Sequence, residues 1–148
     1  MSAQCTDERV NKITARIFPK YNTPEKMGAL SQEQLEEEIR DCGLFRSKAK
    51  NLLATCKMLT EEYNSVIPDT VEELMKLPGV GKKTANVVAS IVYKVPAIAV
   101  DTHVFRVSHR LGLAKGDDPL AVEKELQKAI PKNKWSDAHH WLIWHGRK

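Results

Sequence analysis

"LPGVGKKTA", Leu77 to Ala85, sets a proline, two glycines and two lysines against the start of a helical pattern. Upstream, Asp69 or Thr70 can open a short helix through Met75 that ends at Leu77-Pro78-Gly79. Downstream, Ala85, Val88, Ala89 and Val92 recur at helical spacing until Pro96. Two helices joined by a glycine-rich turn expose backbone N–H groups at the start of the second one, and such a turn is an anion site. Gly79 and Gly81 let the chain bend and let a phosphate come close, while the helix dipole adds favourable potential. A plain helix-helix turn uses the same residues without a ligand, so the pattern alone leaves both readings open. At roughly 100° per residue Lys83 projects nearly opposite the Ala85/Val88/Ala89 stripe, whereas Lys82 sits on its flank. Lys83 therefore faces outward. An uncharged lysine amine is a nucleophile; a solvated or phosphate-contacting lysine is the commoner alternative.

The same punctuation runs through the rest of the 148 residues and predicts an all-α fold in one domain, a compact multi-helix bundle. Asp7 can cap a helix bearing Val10, Ile13 and Ile17. Ser31 precedes one with Leu35 and Ile39 buried and Gly43 as terminator, and Ser47 can cap one striped by Leu52, Leu53, Cys56 and Leu59. The Glu36-Glu37-Glu38 run reads as a solvated face. Ala97 to Val100 reads as a buried loop. Further helices are expected from Asp101 or Thr102 to Leu111, from Asp118-Pro119 to Ile130, and from Ser136 through "DAHHWLIWHG".

Twenty-three Lys and Arg against 19 Asp and Glu leave a net charge of +4, which favours a polyanionic partner without demanding one. Cys5, Cys42 and Cys56 lie far apart in no CxxC arrangement, so they suggest reduced thiols in an intracellular protein and neither a disulfide framework nor a zinc site. No apolar run approaches a membrane span, and the N-terminus lacks a signal-peptide pattern. His139 and His140 are adjacent, and no second histidine follows either at i+4; His103 and His109 also lack partners at metal-binding spacing. In "VDTHVFR", Asp101 emerges from an apolar tetrad at a helix start, where it suits an N-cap and also an acid/base or cation-stabilising group. Lys83 and Asp101 stand 18 positions apart on successive helix starts, a spacing that leaves their convergence open.

"LPGVGKKTANVV", "IAVDTHVFRV" and "HHWLIWHGR" together resemble the endonuclease III branch of the helix-hairpin-helix DNA glycosylase superfamily. The likeness extends through "SAQCTDERVNK" and "GLFRSKAKNL" and so covers nearly the whole chain. It implies most of that family's six-helix barrel domain, and a monomeric base-excision-repair glycosylase with abasic-site lyase activity on oxidised pyrimidines in duplex DNA. By position in the motifs, Lys83 corresponds to the catalytic lysine and Asp101 to the catalytic aspartate. DNA contacts are implied at Gln4, Leu44, Leu77, Gly79, Val80, Gly81, Lys82, Thr84 and His103, with Gln4 and Leu44 filling the space of a flipped nucleotide. The pattern departs from the family at both ends: helical sequence usually precedes "SAQ", and a four-cysteine loop holding a [4Fe–4S] cluster usually follows "HGR". None of the three cysteines matches a cluster ligand, so no cluster and no other metal is expected in this chain. Trp141 and Trp144 are too apolar for a solvated surface, and are expected to be exposed if absent segments normally cover them. The competing readings are a non-catalytic DNA-binding module, an inactive fragment, and a monofunctional relative for mispaired adenine, against which Lys83 argues.

Overall fold

Capping chemistry decides where each helix begins. In a computed structural model that describes residues 1–2 and 4–148, the first helix, α1 (Asp7–Ile17), is capped by Thr6, whose hydroxyl accepts the Arg9 N–H. The expected cap, Asp7, stands one residue inside, where its charge suits the helix dipole. Thr23 caps α2 (Pro24–Gly28), a five-residue helix with proline at its first position and no periodic stripe to announce it. Ser31 and Gln34 form a reciprocal capping box on α3 (Gln32–Glu38). This helix stops at Ile39, ahead of the expected terminator Gly43. α4 (Phe45–Glu62) starts two residues before the expected cap Ser47, and its N-cap is Leu44 in the left-handed region. Among the described residues there is no strand, and no helix is long and apolar enough to cross a membrane.

The chain divides into two compact units, Met1–Pro68 with Lys76–Gly79, and Asp69–Met75 with Val80–Lys148. In the first, Ile13, Ile17, Leu35, Ile39, Ala49 and Cys56 close a core, with α2 and α3 packed on α4. Burying each of its isoleucines and Leu35 contributes about 1.5–3 kcal/mol. The glutamate run is an ion-paired face: Glu38 reaches Lys20 at 3.3 Å and Arg16 at 3.9 Å, and Glu36 reaches Arg46 at 4.0 Å. Leu35 and Ile39 turn inward between these acids, which leaves the charges to pair along the outer rim.

The second unit contains α5 (Val71–Leu74), α6 (Lys82–Tyr93), α7 (Thr102–Arg110), α8 (Pro119–Ala129) and, after a short 3-10 turn at Lys132–Lys134, α9 (Trp135–Arg147). Thr70, Asp101 and Asp118 cap α5, α7 and α8 as expected. Ala97 to Val100 is a buried segment without partners in a sheet, and Ile98 joins Val104, Val107, Val122, Leu126 and Leu142 in the core. Gly146 lets α9 lie close to α7, since a Cβ there would stand 2.9 Å from His103 Cβ. Trp141 and Trp144 are 62% and 72% exposed while Leu142 between them is buried.

Candidate active site

The turn between α5 and α6 is held from below. Thr55 Oγ1 donates to the Pro78 carbonyl at 3.1 Å, and Gly79 adopts φ +74° directly over the Asn51 side chain. A Cβ on Gly79 would meet Asn51 Nδ2 at 2.8 Å, so this glycine is required by the fold. Gly81 is different: its φ of −87° suits any residue, and a Cβ there would meet nothing within 4 Å. The fold does not need a glycine at 81, and the absence of a side chain leaves the backbone there open. Gly81 also caps α6 without a side-chain hydrogen bond, which leaves the first-turn N–H groups to an external acceptor. Gly79 and Thr84 are exposed and Val80 half-buried, whereas the Leu77 side chain is buried, so contact with a ligand at 77 falls to its main chain.

The two adjacent lysines are separated chemically by Glu123. This α8 carboxylate is buried; it lies 3.4 Å from Lys82 Nζ and accepts hydrogen bonds from Asn86 Nδ2 at 3.4 Å and Gln127 Nε2 at 3.1 Å. Lys82 is tied down by this network. Lys83 is exposed and, among the described residues, has no ion-pair partner. Asn86 is buried on the inner face of α6 with Ala85 and Ala89, where Glu123 supplies its amide with an acceptor; Val92, expected on that face, is 52% exposed.

Lys83 and Val100 line one groove of about 250 Å³ with Glu123 and the start of α8, so the segment ending at Asp101 passes beside the lysine helix. Asp101 Oδ1 accepts the Val104 N–H at 2.8 Å, the cap expected of it, and the carboxylate is half-buried. His139 on α9 senses both groups. Burial chiefly pushes its imidazole below the usual histidine range; His140 and Lys83 act in the same direction, and the Ala99 carbonyl and Asp101 carboxylate oppose them. The lysine and the aspartate therefore both act electrostatically on one half-buried ring, the Lys83 charge disfavouring its protonation and the Asp101 carboxylate favouring it. His103 turns its Nδ1 to the Gly146 carbonyl at 3.0 Å, an oxygen that also accepts from Arg106 at 2.6 Å. Glu123 and His139 were not singled out as site residues from sequence. Glu123 lies among ordinary helical charges, and His139 was weighed only as a metal ligand.

In the first unit, Gln4 and Leu44 come together. A Cβ on Gly43 would stand 2.7 Å from the Gln4 carbonyl oxygen, so Gly43 admits the Gln4 main chain beside Leu44. Both residues are exposed, Leu44 by 58%, and both take left-handed backbone, φ +51° and +59°. Such strain in a non-glycine residue costs about 1–2 kcal/mol, and it gathers where function needs a particular projection.

The chain matches the family model for the HhH-GPD superfamily base excision DNA repair protein over residues 1–132. It belongs to that family. It is 53% identical over 147 residues to endonuclease III of Rickettsia prowazekii (strain Madrid E), covering 99% of this chain and 69% of the relative. With endonuclease III of Bacillus subtilis (strain 168) the identity is 52% over 148 residues, covering 99% and 68%. A solved endonuclease III trapped as a covalent intermediate with DNA superposes with a TM-score of 0.94 at 57% identity, over 99% of this chain and 69% of that one. A thermostable thymine-DNA glycosylase shares the fold at TM-score 0.84 and 22% identity, over 97% and 68%. The family and its endonuclease III relatives make this chain a base-excision-repair DNA glycosylase.

The residues present do not fit the iron-sulfur cluster that the resemblance brings with it. Among the described residues no group of three or more His, Cys, Asp or Glu converges. Cys42 is buried against Lys48 Nζ at 3.2 Å and the Met1 carbonyl at 3.5 Å. Burial, with Glu25 adding to it, pushes the Cys56 thiol up, away from the thiolate a metal needs.

Proposed function

We propose that this glycosylase removes oxidised pyrimidines from duplex DNA and then cuts the abasic strand, with Lys83 as nucleophile and Asp101 as its acid/base and electrostatic partner. The observation that carries the assignment is the contrast between neighbours: Lys82 is held by buried Glu123, while Lys83 is exposed without an ion-pair partner among the described residues. The uncapped start of α6 supports phosphate binding at Gly79, Val80 and Gly81, with Lys82 and Thr84 beside them. Gln4 and Leu44, adjacent, exposed and strained, suit insertion into the duplex where a nucleotide is flipped out. His103, tied to Gly146 through Nδ1, contacts DNA through the remaining edge of its ring. Solved relatives described as endonuclease III complexes with DNA, one covalent and one non-covalent, support a DNA partner for this chain. The working form is a monomer.

In the chemistry proposed, the Lys83 amine lone pair forms a bond to C1′ as the C1′–N bond breaks. The bonding electrons leave with the base, which takes up a proton. Opening of the sugar ring gives a protonated Schiff base. Removal of a C2′ proton then drives electrons toward the 3′ carbon and expels the 3′ phosphate. Asp101 stabilises the positive sugar and then the iminium, and handles the protons.

Borohydride trapping on a duplex carrying an oxidised pyrimidine tests this. The expected adduct disappears in Lys83→Ala and persists in Lys82→Ala. Salt-dependent DNA binding without any adduct would replace the proposal with a binding module.

A further inference from the structure

Both halves of the proposed catalytic pair act on His139, and the pair does not explain its surroundings. Its Nδ1 is buried and has no hydrogen-bond partner. Ala99 lines the same small cavity as the ring, and its carbonyl favours the protonated imidazole. A neutral imidazole donates from one nitrogen and accepts at the other. Whether it carries the proton or the lone pair, Nδ1 is a buried polar atom that the protein leaves without a partner. A buried polar atom in a native protein is nearly always paired, with protein or with an ordered water. Beside the ring lies a cavity of about 20 Å³, whose polar lining includes Ser90 and Asn86 of α6. That is room for a single water. Ser90 Oγ sits 2.8 Å from Ser136 Oγ, and His140 Nδ1 lies 2.7 Å from the Ser136 carbonyl, so the hydroxyl that would complete the bridge is itself fixed.

The ring therefore stands at a junction of three elements: α9, the buried Ala97–Val100 segment that delivers Asp101, and α6, which delivers Lys83. We propose that His139 is a positioning residue of the reaction: it fastens the Asp101-bearing segment at Ala99 and, through one buried water on Nδ1, the Lys83-bearing helix at Ser90, and so keeps nucleophile and carboxylate at their working separation. The proposal rests on the Lys83 assignment above.

The groups facing the ring are Lys83 from α6, Asp101 at the start of α7 and His140 on its own helix. Burial and the His140 and Lys83 charges disfavour a protonated ring, against the Ala99 carbonyl and Asp101, and a charged ring would leave an N–H at Nδ1 without a protein acceptor. The bridge consequently works with the neutral ring.

The test measures the single-turnover rate of adduct formation on an oxidised-pyrimidine duplex, together with DNA affinity and melting temperature, in the full chain. His139→Leu keeps bulk and loses both ring nitrogens; His139→Gln restores a donor toward Ala99; Ser90→Ala removes the water's second anchor. A misplacement of reacting groups by an ångström costs about 10²-fold in rate. His139→Leu is expected to lose about that much with DNA affinity unchanged, His139→Gln to recover most of it, and Ser90→Ala to lose a smaller factor. A wild-type rate in His139→Leu overturns the inference, as does a loss that follows melting temperature and is not rescued by glutamine. If the wild-type chain forms no adduct, the Lys83 assignment fails and the positioning role falls with it, which the comparison separates from failure at His139 alone.

Discussion

Replacing each of the two hairpin glycines with alanine separates a glycine the fold needs from one the ligand needs. At Gly79, the left-handed backbone costs a non-glycine residue about 1–2 kcal/mol. The new Cβ also meets Asn51 atoms at 2.8 to 3.2 Å, so that side chain must move. Loss of glycine's freedom in the unfolded chain returns about 0.4–1 kcal/mol. Adding about 1 kcal/mol for displacing the exposed Asn51 side chain leaves a net loss of about 1–2.6 kcal/mol, or a melting temperature lower by about 2–10 °C. At Gly81 the backbone suits alanine and the space is empty. Exchanging glycine for alanine at an N-cap costs about 0.5–1 kcal/mol, which the same unfolded-state gain of about 0.4–1 kcal/mol offsets. Gly81→Ala should thus melt within about 2 °C of the wild type. Its methyl nonetheless crowds the uncapped N–H groups, and losing one hydrogen bond to a phosphate of about 1.5 kcal/mol weakens DNA binding about tenfold. Thermal denaturation paired with fluorescence anisotropy on duplex DNA reads both. The reasoning fails if Gly81→Ala is as destabilised as Gly79→Ala, or if it binds DNA as the wild type does.

Asp101→Asn keeps a cap of equal quality, so it should melt with the wild type while single-turnover adduct formation collapses; Asp101→Ala should lose about 1 kcal/mol of stability as well. Glu123→Ala leaves buried Asn86 without its acceptor and releases Lys82, costing about 1–3 kcal/mol in urea denaturation; a loss below about 0.5 kcal/mol would show that the network is idle. In Lys82→Ala the adduct persists, as the test of the nucleophile requires. Glu125 accepts the Lys115 and Gly116 N–H groups, and these bonds hold its carboxyl below the usual range despite slight desolvation, with His109 and Lys128 adding to them. Its contribution is complete above the ordinary value of 4.5 and is lost as pH falls through the lowered one. Acid titrations of stability should therefore be flatter in Glu125→Gln than in the wild type, and equal slopes would refute the role.

The helical architecture was legible because it depends on local chemistry. Ser31, Thr70, Asp101 and Asp118 satisfy helix N–H groups within three residues of themselves, and Ile13, Ile17, Leu35 and Ile39 repeat at the helical period, so neighbours in sequence suffice. The outward Lys83 followed from the same period. What escaped were the places where distant residues compete. Asn86 is buried where Glu123, 37 positions away, offers its amide an acceptor, and Val92 at the far end of α6 is left exposed. Leu44 replaced Ser47 at the start of α4, where no side-chain cap bond is made and Gly43 admits the Gln4 main chain. The exposed Trp141 and Trp144 flank a buried Leu142, since only one side of α9 meets its neighbours.

For the site, the sequence by itself determined the chemistry available: an amine, a carboxylate and a glycine turn, each at a helix start. Tertiary structure alone decided which amine is left unpaired, since one carboxylate from α8 immobilises Lys82 and not Lys83. It also decided that Lys83 and Asp101 both act on the His139 ring, because a side chain's electrostatic surroundings depend on what is packed around it and not on what adjoins it in the chain.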